Sequence, residues 1–239
     1  MVEANIEKVR RARESTIALI RRAPQGISEG RGRLGIFPAS FNPPTRAHLA
    51  LIREARVRQR LDEVLVLLDV RAMDKECAAA EFADRLAMLK KAFGRDPKVS
   101  TGISSHGLFF DKITPLRRIY PDPVDFFFIV GFDTIVRVVD RKYYRNPKKS
   151  LDELFARCRF LVANRGDLER KDFGRLFQKR GNKPYMDRVS YFTLSPRFSL
   201  LSSTLVRERI AKGMPVDPFV PASVLQFIRK KGLYTALRS

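Results

Sequence analysis

The chain has 239 residues, 44% of them apolar, enough for a sizeable core and too apolar for a disordered polymer. Lysine and arginine total 47 against 26 aspartate and glutamate, a formal charge of +21. That surplus predicts anionic partners: nucleotides, nucleic acid, an acidic membrane surface or an acidic protein. Two cysteines, Cys77 and Cys158, without a C-x-x-C pattern, argue against a disulfide framework and a zinc site and fit a reducing cytoplasm. The apolar runs are far shorter than the roughly 20 residues of a membrane span. No secretion signal is expected, and Glu3, Glu7 and Glu14 interrupt a mitochondrial-type basic run, so cytoplasm is the expected location, with nuclear and mitochondrial addresses left open.

Taken in order, residues 1–24 show helical spacing through Ile6, Val9, Ala12, Ile17 and Ile20 among arginines, ended by Pro24 and Gly26. Residues 25–33 read as a linker that either docks on the main body or contacts an anion, so 1–33 is a basic N-terminal helix and linker and 34–239 the principal domain. A strand is predicted over 34–37 and a helix over 45–59. Residues 63–70 (EVLVLLDV) are a continuous β-favouring run, as in a parallel strand covered on both faces. Phe82, Leu86, Leu89 and Phe93 give 81–93 helical spacing; 99–103 is a third strand, and 108–120 is ambiguous, though Phe109, Ile113, Leu116 and Tyr120 could line a helix face. The clearest strand is 124–130 (VDFFFIV), followed by a helix; strand, helix and strand then fall at 160–163, 168–178 and 189–194, and a last amphipathic helix lies within 221–234. Such alternation predicts an α/β fold: a mainly parallel sheet, helices on both faces, and ligands beyond the carboxyl ends of the strands.

Three stretches at strand ends carry the candidate chemistry. Residues 35–49 (GIFPASFNPPTRAHL) run from a strand through a proline-rich loop into a helix whose first turn holds His48. The free N–H groups and positive dipole end of a helix start suit phosphate. Gly131, Phe132 and Asp133 follow the 124–130 strand directly, and Asp133 is either a helix cap or a ligand contact. Ser202, Ser203 and Thr204 precede a helix carrying Arg207 and Arg209; hydroxyls there cap the helix and can also hold phosphate oxygens, with arginine adding charge one turn later.

In that order the three stretches resemble the nucleotidyltransferase superfamily with an H-x-G-H-type motif, and within it the nicotinamide or nicotinate mononucleotide adenylyltransferases. Ser40-Phe41-Asn42-Pro43-Pro44-Thr45-Arg46-Ala47-His48 looks like that family's G-S-F-N-P-x-T-x-M-H, Gly131-Phe132-Asp133 its G-x-D, and Leu201-Ser202-Ser203-Thr204-Leu205-Val206-Arg207 its I-S-S-T-x-x-R. Arg85-Leu86-Ala87-Met88 and the Val220-Pro221 to Leu233-Tyr234 ending are similar to two further elements, so the match runs over residues 34–234. The resemblance implies a Rossmann-like fold and transfer of the adenylyl group of ATP to a mononucleotide, with release of pyrophosphate. It implies His48, Thr45 and Arg207 as catalytic, and Ser40, Phe41, Asn42, Gly131, Asp133, Ser202, Ser203 and Thr204 as ATP contacts. It also implies Mg²⁺ held chiefly by phosphates and water, and Lys75 or Arg71 as a phosphate contact.

Two departures from the family pattern stand out, the first bearing on the loop's approach to the phosphates and the second on the acceptor. Ala39 stands where the family has a small glycine, and the chain has no tryptophan to stack a pyridine ring; Tyr143, Tyr144, Phe109 and Phe110 are the rings that could replace it. Another phosphate-monoester acceptor is the alternative substrate. A cytidylyl donor fits less well, because the Ser-Ser-Thr element looks like the adenylyl version. A nucleic-acid-binding role rests on charge alone, and would show as an extended stripe including Arg10, Arg11, Arg13, Arg21 and Arg22. Oligomeric state is not legible.

Overall fold

The computed structural model describes residues 2–28, 30–70, 80–164, 166 and 170–235. Helix α1 (Val2–Arg11) and strand β1 (Ile17–Arg21) precede strand β2 (Arg33–Ala39), helix α2 (Arg46–Gln59), strand β3 (Glu63–Asp69), helix α3 (Phe82–Phe93) and strand β4 (Val99–Ser104). The second half holds helix α4 (Phe109–Ile119), strand β5 (Asp125–Gly131), helices α5 (Phe132–Val138) and α6 (Pro147–Arg157), strand β6 (Arg159–Ala163), helix α7 (Arg170–Gln178) and strand β7 (Val189–Phe192). Three C-terminal helices close the chain: α8 (Pro196–Ser199), α9 (Ser203–Ala211) and α10 (Ala222–Lys231). The start expected at Leu168 lies outside the described residues. Helix α6, which the spacing analysis missed, carries its own signal: Asn146 caps it, accepting from the Lys149 N–H, and proline stands at its first position.

One sheet unites the strands in the order β1-β4-β3-β2-β5-β6-β7. Every neighbouring pair is parallel except β1 with β4. From β4 onward this is the doubly wound order, whose direction of winding reverses between β2 and β5 and leaves a crevice beyond their carboxyl ends.

Period-two alternation in the strands makes the two core layers. On β5, Phe126, Phe128 and Val130 pack with α4, α5, α6 and α7, whereas Phe127 and Ile129 pack with α2 and α3. This is why the central strands read as unbroken apolar runs. Gly35 is needed within β2, because an added Cβ would meet Leu61 Cδ1 at 2.7 Å and Ile129 Cδ1 at 3.0 Å. A third apolar cluster joins α10 to α3 through Val224, Ile228, Tyr234 and Met88.

The expected single helix over 1–24 is corrected: the helix stops at Arg11, and Ile17–Arg21 is an antiparallel edge strand with Ile17 opposite Ser104. Ile17 and Ile20 fit a helical face by spacing, but the open N–H and C=O groups along β4 offer a ladder that local propensity cannot match. The 25–33 linker docks. Gln25 N–H donates to the Pro97 carbonyl (2.9 Å), Ala23 N–H to Ser100 Oγ (2.8 Å), and Ile27 N–H to Glu63 Oε2 (2.8 Å). Arg21 donates to the Val99 carbonyl (2.6 Å), Arg22 to the Ile27 carbonyl (3.0 Å), and Arg11 pairs with Glu7.

Glu63 is fully buried, and its carboxylate also accepts from Ser100 Oγ (2.5 Å) and the Tyr120 hydroxyl. Burial and that carboxylate push the Tyr120 hydroxyl above its ordinary range, so it remains a donor. Glu63→Ala orphans three donors at once. The expected cost is about 3 kcal/mol or more, a fall in Tm of roughly 10 °C for a chain of this size, checked by urea and thermal melts against wild type.

Candidate active site

At the β2/β5 switch point lies a cavity of about 260 Å³. Ser40, Asn42 and His48 reach it from the opening loop and α2, Gly131 and Asp133 from the end of β5, and Ser202, Ser203, Thr204 and Arg207 from the start of α9. Residues roughly 160 positions apart thus meet because a parallel sheet sends all its carboxyl ends to one edge.

The opening loop is held from several sides. Phe41 adopts φ +46°, an uncommon conformation for a residue with a side chain, and its ring is fully buried edge-on to Phe37 (5.5 Å) and Phe93 (5.9 Å). The Asn42–Pro43 peptide is cis. Arg207 Nη1 donates to the Asn42 carbonyl (2.7 Å), Ser203 Oγ to the Pro43 carbonyl (2.8 Å), and the Tyr234 hydroxyl to Asn42 Oδ1 (2.7 Å). Arg207 Nη2 reaches Thr204 Oγ1 (3.3 Å); a guanidinium has five N–H groups, so donors remain for an anion.

Thr45 caps α2 and is fully buried. Its backbone N–H donates to His48 Nδ1 (2.9 Å), and its Oγ1 lies 2.9 Å from the same nitrogen. Because Nδ1 accepts, the neutral imidazole carries its proton on Nε2 and is a donor there. Phe41, 5.2 Å from the imidazole between ring centroids, limits its rotation. Ser202 caps α9, accepting from the Leu205 N–H (3.0 Å), so the start of that helix faces the cavity already organised.

Most expected site residues therefore converge, with differences in role. Phe41 and Thr45 do not line the cavity: one anchors the loop in the core, the other orients His48. Asp133 is not the cap of α5, a position held by Gly131, and it is among the residues lining the cavity. Ala39 closes β2 opposite Leu68 and is not among the residues of positive φ, so no glycine is required there. None of the four candidate stacking rings is among the residues lining this cavity. Phe109 packs on Phe128 (5.0 Å) and Phe160 (5.6 Å), Phe110 lies against the same core, Tyr143 sits under Lys142, and the Tyr144 hydroxyl donates to the Val138 carbonyl (2.7 Å). Arg71 and Lys75 lie outside the described residues.

Sequence reasoning missed Asn164, directly after β6, which lines the cavity and staples the chain by accepting from the Leu194 N–H (2.6 Å) and donating to its carbonyl (3.4 Å). The signal was its place at a strand's carboxyl end. A second cavity, about 600 Å³, opens at the amino ends of β5 and β6 among Arg117, Arg118, Arg157, Arg159 and Arg188. Arg118 and Arg157 occupy the last turns of α4 and α6, where cations offset the negative end of the helix dipole, so part of this charge has a structural cause.

A doubly wound sheet whose switch point gathers a histidine, an arginine and two helix starts defines a nucleotidyltransferase. The chain belongs to the cytidylyltransferase-like family, whose profile matches residues 36–209. It is 30% identical over 212 residues to a probable nicotinate-nucleotide adenylyltransferase of Halalkalibacterium halodurans, covering 84% of this chain and 91% of that protein. A protein of the same description from Shouchella clausii is 28% identical over 208 residues, covering 84% and 96%. The solved structure of Plasmodium falciparum nicotinic acid mononucleotide adenylyltransferase complexed with NaAD shares the fold, with TM-score 0.64 at 17% identity over 85% of this chain and 97% of that one.

Tyr234→Phe keeps the ring but removes a donor from the buried Asn42 side chain. The expected loss is about 1–2 kcal/mol, read as a lower urea midpoint at unchanged m value.

Proposed function

We propose that this chain transfers the adenylyl group of ATP to nicotinate or nicotinamide mononucleotide, forming the dinucleotide and releasing pyrophosphate, with the chemistry carried by residues 34–239. The observation that carries the reading is the meeting of His48 with Ser202, Ser203 and Arg207 around one cavity at the switch point. The names of the two bacterial relatives favour the acid over the amide.

In this reaction an oxygen of the acceptor's phosphate attacks the α-phosphorus of ATP in line. The bond to the oxygen bridging to the β-phosphorus breaks, and pyrophosphate leaves with that electron pair. The attacking phosphate is already an anion, so positioning and charge stabilisation dominate over general-base chemistry. His48 donates from Nε2 to the triphosphate as charge builds; Thr45 keeps the imidazole in that tautomer. The starts of α2 and α9 present N–H groups and positive dipole ends, and Ser203 and Arg207 hold the departing phosphates. Mg²⁺ would come with ATP, held by its phosphates, and would supply charge neutralisation. The cavity offers Asp133 as its carboxylate among hydroxyl and basic groups, a donor set that fits an ion carried mainly by phosphate oxygens and water.

Of the arm arginines, Arg21 and Arg22 donate to backbone carbonyls and Arg10 lies over the Phe82 ring (5.2 Å), whereas Arg11 and Arg13 are exposed, so a nucleic-acid role still rests on charge alone.

The test is to incubate the pure protein with ATP, Mg²⁺ and a panel of phosphate monoesters, nicotinate and nicotinamide mononucleotides included, and to measure pyrophosphate and dinucleotide. Turnover with a pyridine mononucleotide is the expected result; turnover only with another monoester overturns the acceptor, and none at all overturns the enzyme reading. His48→Ala is expected to lower kcat roughly a hundredfold, about 3 kcal/mol of transition-state stabilisation, with unchanged near-UV circular dichroism. Arg207→Ala should lower turnover and loosen the opening loop together, so its thermal midpoint is measured alongside.

A further inference from the structure

Lys112, on α4, has no exposed surface. A buried ammonium is costly unless its donors are answered, and its partners all stand at the carboxyl ends of two neighbouring strands. Nζ lies 2.9 Å from Asp69 Oδ1 at the end of β3 and 3.3 Å from Ser104 Oγ at the end of β4, and it donates to the His106 carbonyl just beyond. A second buried cation, Arg85 on α3, is 5% exposed and donates to the Ser40 carbonyl (3.4 Å), while its Nε has no hydrogen-bond partner among the described residues. Asp69 also feels the Arg85 charge, so one carboxylate faces two buried cations.

This cluster sits in the half of the sheet that the adenylyl cavity leaves unused. The cavity is lined from β2, β5, the residue after β6 and helices α2, α5, α8 and α9, whereas β4 stands two strand spacings, roughly 10 Å, to the other side of β2. A doubly wound sheet holds one mononucleotide in each half. The end of β4 is braced from outside as well: Thr16 N–H donates to Ser105 Oγ (2.9 Å), and Ser105 N–H donates to the Thr16 carbonyl (3.0 Å).

We propose that Lys112 is a positioning residue for the acceptor: by tying Asp69, Ser104 and the His106 carbonyl together, it fixes the edge of the sheet against which the second nucleotide is seated. This rests on the adenylyl-transfer reading above. Lys112 touches no substrate; its own contacts run to the ends of β3 and β4 and to the His106 carbonyl, so its removal acts on acceptor affinity, while the link from this cluster to the opening loop, Arg85 to the Ser40 carbonyl, is left in place.

Lys112→Met removes the charge at similar volume, and Ser104→Ala, which removes one Lys112 partner without touching Arg85, serves if the first variant does not fold. Steady-state kinetics of the full chain are measured with ATP and whichever phosphate monoester the wild type turns over. The acceptor KM is expected to rise about tenfold or more, with the KM for ATP and kcat within about twofold of wild type. Equal rises in both KM values, or no rise in either, overturn the proposal, as does failure of both variants to fold, which marks the pair as a folding element. Failure of the underlying reading shows separately, as a wild-type chain that turns over no acceptor, and the inference falls with it.

Discussion

Both oxygens of Asn42 are held by residues from the far end of the chain: the carbonyl by Arg207 and the side-chain oxygen by Tyr234. The geometry of the site depends on this. The opening loop contains a residue with a side chain at positive φ, and such a loop keeps one shape only when its surroundings fix it. Asn42 is almost wholly buried, so each of its acceptors needs a partner, and the partners that answer them belong to the segments that complete the phosphate site. Arg207 serves both purposes, bracing the loop with some of its N–H groups while others remain for an anion.

The loop in turn sets the start of α2. Thr45 caps that helix and spends its backbone N–H on His48, which leaves the imidazole one tautomer and a narrow range of orientation. The result is preorganisation: donors stand in place before substrate arrives, which is what a transfer reaction needing little proton chemistry asks of a protein. The sheet supplies the rest by bringing strand ends from distant parts of the chain to one edge.

The other half of the sheet shows a different economy. Its strand ends are tied by buried charge, with Lys112 and Arg85 around Asp69, and by the edge strand β1, which no local pattern announced. Buried ions and added edge strands are answered only by partners far away in sequence. Lys112 looked like one polar residue in an ambiguous stretch, and Ile17 and Ile20 looked like helix, because spacing is blind to an open strand edge waiting elsewhere.

The residue order determined a good deal unaided. Unbroken apolar strands alternating with amphipathic helices specified a parallel α/β sheet, and the strand–loop–helix at 35–49 with the Ser-Ser-Thr helix start marked most of the residues that line the cavity. These signals are local, carried by side-chain periodicity and by the chemistry of helix ends. Tertiary structure alone decided that Phe41 and Thr45 act from inside the core, that Phe109 and Tyr144 pack away from the cavity, that Tyr234 secures Asn42, and that residues 17–21 form a strand. Each of those outcomes turns on which buried donor, acceptor or ring finds its partner, and the partner's position exists only once the chain has folded.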